Sequence, residues 1–258
     1  MVKYNVFLSG GGMKGAYQYG FFKRLYSNKS NVNKCFNFEI NKLYCSSVGA
    51  ANSLPILINK MDVLEYYWQG NNMIELFKLW DSPLDIGKSK TCFKGLNDKV
   101  FRQFFKTLNY TEMYEIFSKI NIITYDRANS QPKILSEFSN VNDMIDAIAM
   151  SAAFPSLYPS PNSNLVDGSF ADTKELYDFF KTNTDPNTNW LILDLQGSFI
   201  DYVNHENMYI FSPTLSKNAF NNIVNCCRFD DASIQKLIID GENHGNIFSN
   251  ICTDLKLS

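Results

Sequence analysis

The stretch C-S-S-V-G (45–49) holds two serines at the end of an apolar run, INKLYC (40–45). A serine on a sharp turn from strand to helix is chemically useful. Its hydroxyl is pushed out above the sheet, and the positive end of the following helix points toward it. The stretch is one residue away from the elbow pattern G-x-S-x-G, with Cys45 in the first glycine slot. Ser47 has the S-x-G spacing to Gly49, whereas Ser46 falls one slot early, so Ser47 is the expected nucleophile. Gly49 and Ala50 are small, as a close crossing of strand and helix requires.

A nucleophilic serine needs a base. The chain has 2 histidines, His205 and His244, both in polar stretches (VNHEN and GENHGN) that read as surface loops. Asp167 in LVDGSFAD is the better candidate. A short apolar strand delivers it to the strand's end, where an α/β sheet keeps its ligands, and Gly168 and Ser169 make a turn there.

The third group is F-L-S-G-G-G-M-K-G (7–15), in which Gly10, Gly12 and Gly15 fit the dinucleotide fingerprint G-x-G-x-x-G. The same turn can instead present bare backbone N–H groups to an oxyanion during ester cleavage. A dinucleotide site requires an acidic residue at the C-terminal end of the second strand. Glu39 lies at the opposite end of the run 40–45, and C-S-S-V-G stands where the acid belongs.

Together, GGGMKG (10–15), CSSVGA (45–50) and VDGSFAD (166–172) resemble the patatin-like phospholipase family in order and spacing, and MSAAFPSLYP (150–159) resembles its Ala-Ser-x-Ala-x-Pro stretch. The resemblance runs over residues 4–182, with 183–258 expected to continue the same domain. It implies a serine lipid acyl hydrolase of phospholipase A type, acting on phospholipid or related esters with transient contact to a membrane surface. Ser47 and Asp167 would form a dyad, and Gly10, Gly11, Gly12, Lys14 and Gly15 the oxyanion turn, with Lys14 holding the loop or attracting an anionic head group. Gly168 and Ser169 occupy the family's Asp-Gly-Gly or Asp-Gly-Ala positions. No cofactor and no metal are implied. The departure is Cys45, since a side chain at a strained elbow costs on the order of 1–3 kcal/mol. It leaves a rival reading, a lipid-binding relative without turnover, and GGGMKG leaves a second, a nucleotide-binding α/β protein.

These groups need a scaffold, and 258 residues suit one large domain with 45% hydrophobic residues for its core. The 24 Lys and Arg are spread along a chain of net charge −2, which argues against a nucleic-acid partner. MVKYNVFLSGG lacks the pattern of a signal peptide, and the apolar runs 54–58 and 190–195 are too short to cross a bilayer, so the expected location is cytoplasmic. Six cysteines without C-x-x-C spacing read as reduced thiols, mostly buried. Strands are expected at 4–9, 40–45, 119–125, 164–166 and 190–195, and helices at 14–26, from 46 onward and at 141–150. Residues 61–105 read as broken helix, 200–258 as mostly helical, and Pro55 as a kink or a late helix start. Strands alternating with helices predict an α/β fold, a central and mostly parallel sheet with helices on both faces. The resemblance adds a relation to the three-layer sandwich of the α/β-hydrolases. Phe21, Phe22, Phe104 and Phe105 are candidates for core or acyl-pocket lining.

Overall fold

A computed structural model of the chain describes residues 2–29, 38–69, 101–153, 160, 162–182, 188–199, 207–214 and 230–254. The framework is a sheet of seven strands: β1 (Val2–Leu8), β2 (Phe38–Cys45), β3 (Ile120–Asp126), β4 (Gln131–Leu135), β5 (Leu165–Asp167), β6 (Asn189–Leu193) and β7 (Met208–Phe211). Their order is β4-β3-β2-β1-β6-β7, with β5 also paired to β3. The pairings β1–β2, β1–β6, β2–β3 and β6–β7 are parallel, whereas β4 and β5 run antiparallel to β3. β1 and β6 are central, and residues 4–8 and 190–193 are buried throughout because both faces are covered.

The helices are α1 (Gly15–Lys29), α2 (Val48–Leu57), α3 (Met61–Trp68), α4 (Tyr110–Lys119), α5 (Val141–Ser151), α6 (Thr173–Thr182) and α7 (Asp231–Asp254). Alternation along the strands separates two cores. Val6, Leu8, Leu43, Cys45, Ile122 and Leu193 pack with side chains of α1, α2, α5 and α7. Phe7, Tyr44, Ile123 and Ile192 face the other way, against Leu176, Tyr177 and Phe180 of α6. Helices therefore cover both faces, in three layers. Phe21, Phe22, Phe104 and Phe105 belong to the first core.

Several sequence expectations shift. The first helix begins at Gly15, after a single 3-10 turn over Gly12–Lys14. α2 starts at Val48 and carries Pro55 in its last turn, so the helix does not start late and only the bond from the missing Pro55 N–H is lost. The stretch expected to be mostly helical from 200 contains β7, an edge strand of the described sheet that pairs with β6. β4, α4 and α6 were not expected at all. His244 lies on α7, where its Nδ1 is 2.6 Å from the Tyr17 hydroxyl, so it is no surface-loop residue. His205, Cys35, Cys92, Cys226, Cys227 and residues 154–159 and 70–100 lie outside the described residues. Cys45 and Cys252 are free and buried.

Candidate active site

Strand register brings the two ends of the site together. β2 pairs with β3 as far as Cys45 opposite Ile122. β5 then pairs with β3 from Thr124, opposite Asp167, while β4 occupies the other edge of β3. β5 thus lies just beyond the C-terminal end of β2, antiparallel to β3, and its last residue arrives beside the elbow.

At that elbow Ser47 has φ 53° and ψ −126°, a conformation that L-residues rarely adopt. It stands as the N-cap of α2, yet its hydroxyl makes no capping bond. Instead Oγ donates to Asp167 Oδ2 at 2.8 Å. The turn is held from behind: Ser47 N–H donates to both the carbonyl and the Oγ of Ser151, and Ser151 Oγ donates to the Ile123 carbonyl at 2.6 Å. A Cβ on Gly49 would lie 2.2 Å from the Leu8 carbonyl oxygen, so α2 starts directly on the end of β1.

Asp167 is almost fully buried, at 3% exposure. Burial raises its pKa above the usual carboxylate range, opposed by the Ser169 N–H on Oδ1 at 2.8 Å and by hydrogen bonds from the Ser169 and Ser47 side chains. Gly168 carries the chain away beneath Ser46.

The glycine turn lies against both. A Cβ on Gly10 would meet Ser169 Oγ at 2.0 Å and Ser47 Cβ at 2.7 Å. Gly10 N–H donates to Ser46 Oγ at 3.0 Å, so the buried Ser46 anchors the turn and does not face Asp167. Gly12 has φ 55°, which a side chain would strain. The N–H groups of Gly11 and Gly12 have no partner among the described residues, and the N-termini of α1 and α2 both start at this spot. Lys14 is buried, and its ammonium donates to the Leu195 carbonyl at 3.3 Å. It is turned toward the loop whose carbonyl it bonds. That loop follows β6, and there the buried Asp194 accepts the N–H groups of Gln196 and Phe199. Burial raises the pKa of Asp194 as well.

Cys45 is beneath the site, with its thiol in the first core and donating to the Asn121 carbonyl at 3.6 Å. Burial pushes its pKa up to about 12, so it stays a thiol. Glu39 stands at the far end of β2, 4.0 Å from Lys119, remote from the glycines. Ser46, weighed in the sequence only as a rival nucleophile, is a supporting residue, as are Ser151 and Asp194, to which the sequence assigns no role. The motif MSAAFP contained Ser151, but nothing in its spacing says that it bonds the elbow's N–H.

A three-layer α/β sheet with a serine elbow against a buried carboxylate defines a hydrolase-like scaffold. The particular family follows from a family model, patatin-like phospholipase, that matches residues 6–179: the chain belongs to the patatin-like phospholipase family. Two solved structures resemble it. VipD from Legionella pneumophila is 12% identical with a TM-score of 0.41, covering 93% of this chain and 67% of its own. The ExoU–SpcU heterodimer of the Pseudomonas aeruginosa type III secretion system is 14% identical with a TM-score of 0.40, covering 96% of this chain. This chain spans about half of that second one, 52%. No curated protein sequence matches the chain.

Proposed function

We propose that this patatin-like protein is a lipid acyl hydrolase that cleaves fatty acyl esters of phospholipids or related lipids through Ser47 and Asp167. One observation carries the reading: the Ser47 hydroxyl, on a strained elbow, is bonded at 2.8 Å to a buried carboxylate and used for nothing else. Ser47 Oγ attacks the ester carbonyl as its proton passes to Asp167 Oδ2. The tetrahedral oxyanion is met by the N–H groups of Gly11 and Gly12, since Gly10 N–H is engaged by Ser46 and Ser47 N–H by Ser151. Asp167 returns the proton to the departing alcohol. Water, deprotonated by the same carboxylate, then releases the fatty acid and restores Ser47. A carboxylate is a weak base, and its raised pKa brings it closer to the strength this step requires.

The lipid-binding alternative rested on Cys45. Its thiol lies in the core and not in the site, which favours turnover. Among the described residues no helix is long and apolar enough to cross a membrane, and contact with the lipid surface is proposed to be transient. Fluorophosphonate labelling, with fatty-acid release from mixed phospholipid vesicles, tests the reading. Labelling and release that both vanish in Ser47→Ala support it. Labelling that persists in Ser47→Ala, or an inert native protein, overturns it.

A further inference from the structure

Behind the two loops of the site runs a buried chain of side-chain hydrogen bonds that the reaction above does not use. Trp68 of α3 donates its indole N–H to Asn52 Oδ1 at 3.1 Å. Asn52, on α2, donates from Nδ2 to the Gly15 carbonyl and to Gln18 Oε1, each at 3.0 Å. Gln18, on α1, donates to the Ser9 carbonyl at 2.9 Å, and Ser9 Oγ accepts the Leu195 N–H at 2.7 Å. Asn52, Gln18 and Trp68 are at most 2% exposed. A carbonyl at one end and an indole N–H at the other allow the Asn52 amide one orientation only.

The chain of bonds crosses the boundary on which ester cleavage would depend. α2 carries Ser47 at its N-terminus, and α1 carries the glycine turn at its own. Apolar packing holds two such helices together but tolerates small slides, whereas a fully satisfied buried polar network selects one arrangement. We propose that Asn52 is a positioning residue: through Gly15 and Gln18 it sets the glycine turn against the Ser47 elbow, with Trp68 fixing its amide. The proposal rests on the hydrolase reading of Ser47 for its kinetic consequence, but not for its structural one.

The test uses Asn52→Ala, with Gln18→Met, which roughly keeps side-chain volume, and Trp68→Phe, which keeps an aromatic ring but removes the indole N–H, should the first fail to fold. Three measurements are made: kcat and KM on a soluble short-chain ester, thermal melting, and amide hydrogen exchange. The expected result is a kcat lower by about 10- to 100-fold, the scale of an ångström-sized misplacement, with KM within about twofold. Exchange should speed up at Gly10–Gly15 while the strands keep their protection. Unchanged kcat and unchanged exchange at Gly10–Gly15 would overturn the proposal. So would protection lost evenly over α1, α2 and α3 with kcat per folded molecule retained, which marks a purely structural bond. If the native protein neither labels nor turns over, the hydrolase reading falls, and exchange at Gly10–Gly15 still decides whether Asn52 holds the turn.

Discussion

Asp167 must be anionic to accept a proton, and its burial works against that charge. The native state therefore binds this proton more tightly than the unfolded chain. As pH rises from the ordinary carboxylate pKa to the raised native one, stability falls, and the cost is fully present only above the native pKa. Two outcomes are expected. The acid limb of kcat against pH should lie above the usual carboxylate range; a limb at or below it would remove Asp167 as the base. Asp167→Asn should lower the rate by roughly 10²–10⁴-fold, yet melt at the same or a higher temperature, because a neutral amide replaces the buried charge. Ser47 and Asp167 were legible because elbow and turn patterns are local. Ser46 and Ser151 were not, because each acts by bonding another residue's N–H, and only the fold supplies that partner.

The elements position these groups by register and by close approach. The meeting of β5 with the end of β2 depends on β4 holding the outer edge of β3. β4 escaped notice since QPKIL carries a proline and two polar residues, which suits only an edge strand. β7 is four residues long and was submerged in a tail whose dominant feature, α7, is helical. By contrast, β1, β2 and β6 stood out because each carries a short buried apolar run, at 6–8, 43–45 and 190–193. Gly49→Ala would drive a methyl group into the Leu8 carbonyl. It is expected to cost about 1–3 kcal/mol in chemical denaturation and to lower kcat; an unchanged midpoint would contradict this crossing geometry. Asn140 caps α5 by accepting the N–H groups of Asn142 and Asp143. Asn140→Ala should cost about 1 kcal/mol by the same measurement.

At the scale of the molecule, the family match ends at residue 179, but the sheet does not. β6 pairs with the central β1 and β7 extends it, so residues 183–258 are expected to belong to the same folding unit. A chain cut after Thr182 should show no cooperative melting transition and no fluorophosphonate labelling. A truncated chain that melted and labelled like the whole would make the remainder a separate unit. This dependence was hard to read in advance because the tail carries no recognisable motif. Its described residues contribute two strands, β6 and β7, and the helix α7.

α1 and α7 approach backbone to backbone: a Cβ on Gly20 would lie 2.1 Å from the Ile238 carbonyl oxygen, and one on Gly241 2.2 Å from that of Tyr17. For a chain emerging from the ribosome, this sets an order of events. The glycine turn, the elbow and Asp167 are all synthesised well before residues 231–254, yet one face of the helix that carries the turn has no partner until those residues have left the exit tunnel. A nascent chain would therefore hold every reactive group of the site without fully assembling it, and a lipid hydrolase would stay dormant until residues 231–254 had emerged.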